Sequence, residues 1–170
     1  LLFENQGLQD GVPDLKQHVL DPRHGTIHVP VVDLNRDEWP DIVSLISQEH
    51  ETIELFENQR NGVFRPHRLF QAGNPAFGSS GIDIVDLDRD GDLDVLYTNG
   101  DSLDSSEAKP YHAVRWLEND GQMQFASHEM RRMPGVERAR SGDLDRDGDL
   151  DIVAVSLLPG NDKPTLQFHL

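Results

Sequence analysis

The stretch IVDLDRDGDLDVL, residues 84–96, decides the fold, because near copies of it occur twice more in the chain. VVDLNRDEWPDIV covers residues 31–43 and SGDLDRDGDLDIV covers 141–153, and the three align without gaps. Their first aspartates, Asp33, Asp86 and Asp143, stand 53 and 57 residues apart. A second element recurs in the same order and phase: LFENQG at 2–7, LFENQRNGVF at 55–64 and WLENDGQMQF at 116–125. Two unrelated elements recurring in step mark a repeat architecture, and repeats take precedence over the reading of single elements.

Each unit resolves into four short strands. In the middle unit GIDIV (81–85) is strand A and leads into the aspartate loop, and LDVLYTN (93–99) is strand B. HAVRWLEN (112–119) is strand C and ends at an Asn-Asp-Gly turn suited to a hairpin. QMQFASHEM (122–130) is strand D. No segment carries a helical period of 3.6 residues. The expected fold is therefore all-β, built of β-propeller blades of four antiparallel strands, with the aspartate loop between strands A and B of each. A solenoid of β-arches is the competing architecture, but its coils are shorter. The boundaries expected are strands C and D of a partial blade at 1–25, a blade at 26–75, a blade at 76–134 and a partial blade at 135–170. The chain opens in one strand C (Leu1 to Asn5) and closes in another (Thr165 to Leu170). That makes about three repeats, whereas propellers have roughly 4–8 blades. The remaining blades are expected from a longer parent chain or from another copy.

Composition sets the outer limits. The 170 residues carry a formal charge of -16 and 36% hydrophobic residues, with no cysteine. Nucleic-acid binding needs a basic patch, so no nucleic-acid partner is expected. No apolar run approaches the ~20 residues of a membrane span, so no membrane insertion is expected. Without cysteine there is no disulfide, thiolate metal site or c-type haem attachment within these residues. The sequence opens at Leu1 with no initiating Met or signal peptide, so either a removed leader or a longer parent chain is expected.

The acidic residues gather in loops of the form D-x-[DN]-x-D-x-x-x-D. Loop one offers Asp33, Asn35, Asp37 and Asp41, loop two Asp86, Asp88, Asp90 and Asp94, and loop three Asp143, Asp145, Asp147 and Asp151. Calcium is a hard cation that takes 6–8 oxygen ligands. Side chains at positions 1, 3 and 5 converge when such a loop curls, a backbone carbonyl at position 7 (Trp39, Asp92, Asp149) adds an oxygen, and position 9 closes the shell in bidentate fashion. Gly91 and Gly148 at position 6 permit the sharp turn. An EF-hand shares the opening, but its closing acid stands at position 12 between helices. An aspartate-rich turn without metal would leave four carboxylates repelling one another within nine residues. In loop one Glu38 replaces the glycine and Asn35 removes a charge, so weaker binding is expected there. Two or three calcium ions per chain are anticipated.

These loops between strands A and B, with Phe77-Gly78 just before strand A, resemble the FG-GAP/VCBS repeats of integrin α-subunit propellers, a fungal lectin and many secreted bacterial proteins. The resemblance implies calcium on one face, in the A–B loops, and a ligand on the opposite face. It also implies a secreted protein, extracellular or periplasmic.

On that opposite face the long connection Asn99–His112 offers Asp101, Asp104, Glu107, Lys109, Tyr111 and His112, and its counterpart SQEHE offers His50 and Glu51. Along strand A, His28, Asp83, Arg138 and Arg140 share one face by register. The candidate ligand residues are His28, His50, Lys109, Tyr111, His112 and Arg138. The function expected is a non-catalytic, calcium-stabilised binding or scaffold module for a protein or carbohydrate. The alternatives are a propeller of a carbohydrate-active enzyme such as a polysaccharide lyase, or an accessory domain of a larger secreted redox protein. No nucleophile elbow, phosphate loop or zinc motif is present.

Overall fold

The computed structural model describes residues 1–102 and 109–158, together with the backbone of 166–169. Among the described residues there is no helix. Fourteen strands form four antiparallel sheets. The first is a hairpin, β1 (Leu2–Gln9) and β2 (Val12–His18). The second contains β3 (Thr26–His28) and β4 (Val31–Val32), both against β5 (Asp41–Ile46), followed by β6 (Thr52–Asn58) and β7 (Phe64–Gln71). The third runs in order β8 (Ser79–Val85), β9 (Asp94–Asn99), β10 (Ala113–Asn119) and β11 (Phe125–Arg132). The fourth contains β12 (Val136–Gly142), β13 (Asp151–Ser156) and β14 (Leu166–His169).

The expected strands A to D of the middle unit are β8 to β11, with one shift. Strand D begins at Phe125 rather than Gln122, because the turn after β10 takes up Gln122 to Gln124: Asp120 accepts the amides of Gln122 and Gln124. The opening strand runs on to Gln9 instead of stopping at Asn5. In the second sheet strand A is split into β3 and β4 at Pro30. Proline has no N–H to donate, yet its carbonyl still accepts Val43 N at 2.9 Å.

The pairing of strand A with strand B breaks register at the same place in three sheets. The shift falls between Thr26 and His28, between Ser79 and Gly81, and between Val136 and Arg138. One extra residue is thus inserted each time, at Ile27, Ser80 and Glu137, seven positions before the aspartate loop counted inclusively. Bulges of this kind bend a strand and increase its twist. These also join the units: Ser80 Oγ donates to Val136 O at 2.7 Å, His28 Nε2 donates to Ser80 O at 3.0 Å, and Thr98 Oγ1 donates to Glu137 O at 3.2 Å.

Period-two alternation places the cores between sheets. Val43, Leu45, Ile53 and Leu55 of the second sheet meet Ile82, Val95, Tyr97 and Leu117 of the third. The other face of the third sheet sets Leu96 and Val114 against Val136, Ala139 and Ala154 of the fourth. Because β9 is covered on both faces, all six of its residues are buried. At the outer surfaces the same alternation leaves Leu8, Val12 and Leu15 on the hairpin, and Leu157 after β13, more than half exposed.

Candidate metal centre

The three aspartate loops occupy equivalent places, each joining strand A of its sheet to strand B: β4 to β5, β8 to β9 and β12 to β13. The closing aspartate is the first residue of the outgoing strand, and it serves as a strap. Its Oδ2 accepts the amide of position 2 in every loop: Leu34 N to Asp41 at 3.2 Å, Leu87 N to Asp94 at 3.0 Å and Leu144 N to Asp151 at 2.8 Å. In the two complete units Oδ1 accepts a further amide at 2.8 Å, from Asn58 to Asp41 and from Asn119 to Asp94. Both oxygens of these carboxylates are therefore already engaged with the backbone, so each offers an ion only its remaining lone pairs. Asp41 and Asp94 are buried, and burial pushes both carboxyls above the usual carboxylate value.

The asparagine side chains finish the lock. Asn58 Nδ2 donates to Pro40 O at 3.0 Å and Asn119 Nδ2 donates to Leu93 O at 3.1 Å. Neither asparagine stands among the expected site residues. The signal was present all the same, since both are the Asn of the second repeated element (LFEN, WLEN). Asn5 is its counterpart in the first hairpin, where its Oδ1 accepts Gly7 N at 2.9 Å. The Glu before each Asn also recurs in function. Glu4, Glu57 and Glu118 accept from His18, His67 and His128 at 2.9, 2.6 and 2.7 Å across the C–D hairpins.

In loops two and three the carboxylates of positions 1, 3 and 9 converge. Asp86, Asp88 and Asp94 place one oxygen each within 4.8 Å of one another, and so do Asp143, Asp145 and Asp151. The position-5 carboxylates are turned to the backbone: Asp90 Oδ1 accepts Asp92 N and Asp147 Oδ1 accepts Asp149 N, both at 2.8 Å. Asp86 Oδ1 is buried and has no hydrogen-bond partner. An orphaned carboxylate oxygen beside two further carboxylates is an all-oxygen donor set that could hold a hard cation, and calcium is consistent with it.

Loop one is built differently inside. Asp33 spends both oxygens on the loop's own amides, Oδ1 accepting Asp37 N at 3.0 Å and Oδ2 accepting Glu38 N at 2.9 Å. Asn35 Oδ1 accepts Asp37 N at 3.1 Å, and its amide donates to Glu57 at 3.4 Å. Glu38 adopts φ 70°, while Gly91 and Gly148 adopt 104° and 106°. The side chain at position 6 thus holds the turn in the tighter left-handed region, where its amide turns inward and satisfies Asp33.

The six candidate ligand residues lie in three places. His28 Nδ1 accepts from Arg138 Nη1 at 3.3 Å, and the burial and flanking arginines that surround this imidazole lower its pKa. On the same face Arg140 pairs with Asp83 at 2.6 Å. Lys109 and Tyr111 both donate to Ala76 O, at 2.8 and 2.9 Å, and Tyr111 stacks on Phe77. His112 is 1% exposed, its Nδ1 accepts Gly135 N at 3.2 Å, and burial depresses its pKa. His50 stands apart, edge-on to His24. A cavity of about 480 Å³ is lined by His24, Gln48, Glu49, Glu51, Gly78 and Lys109, among others, but not by the other five candidates. Asp104 and Glu107 lie outside the described residues.

A family model of FG-GAP-like repeats matches residues 33–97, from the first aspartate of loop one through most of β9. No curated protein matches the chain.

Proposed function

We propose that the chain, whose residues 33–97 match a model of FG-GAP-like repeats, is a calcium-stabilised β-propeller module that binds or scaffolds rather than catalyses. The observation that carries this reading is the pair of three-carboxylate clusters in loops two and three, one of which holds a buried oxygen without a partner. In this reading the blades run over 26–75 and 76–134, with partial blades at 1–25 and 135–170. Asp86, Asp88 and Asp94 hold one ion, and Asp143, Asp145 and Asp151 hold a second. Asp33, Asn35 and Asp41 hold a third, weaker one. Calcium bound there would neutralise the carboxylates and fix the turn, so that its binding energy becomes folding energy. The straps from Asp41, Asp94 and Asp151 keep the loop ends closed with or without the ion.

Asn5 supports the continuation of the ring. It presents the same Asx turn as Asn58 and Asn119, but no aspartate loop among the described residues stands opposite it. Further blades of such a ring would be supplied by a parent chain or by another copy. A secreted setting, extracellular or periplasmic, suits sites of this kind, because cytosolic calcium is too scarce to fill them. The ligand, a protein or a carbohydrate, meets the end opposite the loops.

The test is calcium stoichiometry by equilibrium dialysis, with native mass by light scattering on the same sample. Two or three calcium ions per chain are expected. Absence of bound calcium at millimolar concentration would sink the reading.

A further inference from the structure

Position 4 of each aspartate loop is an arginine: Arg36, Arg89 and Arg146. All three adopt positive φ, at 59°, 62° and 67°, a region that costs a long side chain energy. The strain has a consistent outcome, because the side chain leaves its own loop and reaches the next unit. Arg36 Nη1 lies 3.4 Å from Asp92 Oδ1, and Arg89 Nη2 lies 4.0 Å from Asp143 Oδ2. In both cases the guanidinium also covers the position-6 glycine of the receiving loop. A Cβ built on Gly91 would lie 3.5 Å from Arg36 Nη1, and one on Gly148 would lie 3.6 Å from Arg89 Nη1. The same residue at the same repeat position makes the same contact twice.

The two receivers differ. Asp92 is not one of the converging carboxylates of loop two, whereas Asp143 is position 1 of loop three and belongs to its cluster. We infer that Arg89 is the counter-charge of loop three, supplied in trans by loop two, and that it competes there with a bound cation. This rests on the calcium reading of the loops. Without an ion, the guanidinium offsets part of the repulsion among Asp143, Asp145 and Asp151. With an ion, two positive charges share Asp143, and the arginine lowers the affinity. The affinity of one loop is thereby tuned by a residue of its neighbour. Arg36, held on Asp92, acts on the joint between units more than on the ion.

The experiment is a calcium titration of the protein and its Arg89→Gln and Arg89→Lys variants, followed by NMR at the Gly91 and Gly148 amides, which report loops two and three separately. Thermal melts in EDTA accompany it. Arg89→Gln is expected to raise calcium affinity at Gly148 roughly two- to five-fold, the range of an exposed ion pair. It should raise the affinity read at Gly148 more than that read at Gly91, whose own loop loses the same charge, and lower the ion-free melting temperature. Arg89→Lys should restore both properties in part. A purely structural arginine would lower stability and affinity together, so unchanged or weakened affinity at Gly148 overturns the inference. If neither glycine responds to calcium in the unaltered protein, the calcium reading itself fails and takes this inference with it.

Discussion

Loop one and loop two are the same nine-residue device on the same scaffold, strapped by equivalent aspartates and locked by equivalent asparagines. They differ inside. Loop two leaves Asp86 Oδ1 buried without a partner, whereas loop one satisfies both oxygens of Asp33 with its own amides. The change traces to position 6, where glycine opens the turn and Glu38 tightens it. A loop of this kind can thus be stable through its own hydrogen bonds or can hold its carboxylates in readiness for a cation. One residue shifts the balance.

The largest expected effect separates the two solutions directly. Chelation with EDTA should lower the melting temperature, because loops two and three lose their ions. At a calcium concentration a hundred times the dissociation constant, each site contributes about 2.7 kcal/mol. Two such sites correspond to a fall of roughly 10–20 °C for a chain of this size. An unchanged melting temperature would break the comparison at its root.

Next come the straps, which both loops share. Asp94→Ala and Asp41→Ala each orphan two backbone amides in buried surroundings, and each should cost about 2–4 kcal/mol even in EDTA. Asp88→Ala removes a converging carboxylate and one exposed hydrogen bond from Asp90 N but no strap, so it should cost more with calcium than in EDTA. Urea denaturation with and without calcium reads both differences. If Asp94→Ala were harmless in EDTA, the closing aspartate would be a ligand alone.

Glu38→Gly sharpens the comparison by converting loop one toward loop two. Relief of left-handed strain in a non-glycine residue is worth about 1 kcal/mol, and the freed Asp33 oxygens become available. Calcium affinity at loop one should rise roughly fivefold. An Asn35→Asp change on top should raise it further by restoring the fourth carboxylate. Calorimetric titration that finds loop one unaltered would place the cause of its difference elsewhere.

The smallest effect belongs to the end opposite the loops. His28 and His112 have pKa values below the usual imidazole value of 6.5, because burial disfavours their charged form. The unfolded chain takes up their protons first as pH falls. Their contribution to stability is therefore complete above pH 6.5 and is lost as pH drops toward the lower folded values. The slope is at most about 1.4 kcal/mol per pH unit for each histidine. Melts in EDTA between neutral and mildly acidic pH should show it, and His112→Asn should flatten it. An equal slope in that variant would assign the effect to other groups.

Much of the fold could be read from the chain, because it rests on local and periodic features. Strands β8 to β10 follow from the alternation in GIDIV, LDVLYTN and HAVRWLEN, and the loops follow from aspartates spaced for a tight turn. β11 starts three residues later than the alternation from Gln122 predicts, since the turn capped by Asp120 absorbs residues that alternate like a strand. The carboxylates that converge in loops two and three could be read as candidate oxygen donors, but their clamps could not. Asn58 and Asn119 lie 17 and 25 residues after the aspartates they hold, and only pairing of the strands brings them together. The opposite end was the least legible. His28, His50, Lys109, Tyr111, His112 and Arg138 looked like one constellation, yet they pair with Ser80, His24, Ala76 and Gly135 in three separate places.

The sequence by itself determined the repeat, the strand order and the identity of the oxygen donors, because each is encoded within a dozen neighbouring residues and written more than once. Only the tertiary structure decided which oxygens are free, which arginine serves which loop, and which polar residues meet. Those outcomes depend on the bulges at Ile27, Ser80 and Glu137 and on how one sheet packs against the next. Contacts across sheets arise from twist and register accumulated over the whole unit, and no local pattern of residues specifies them.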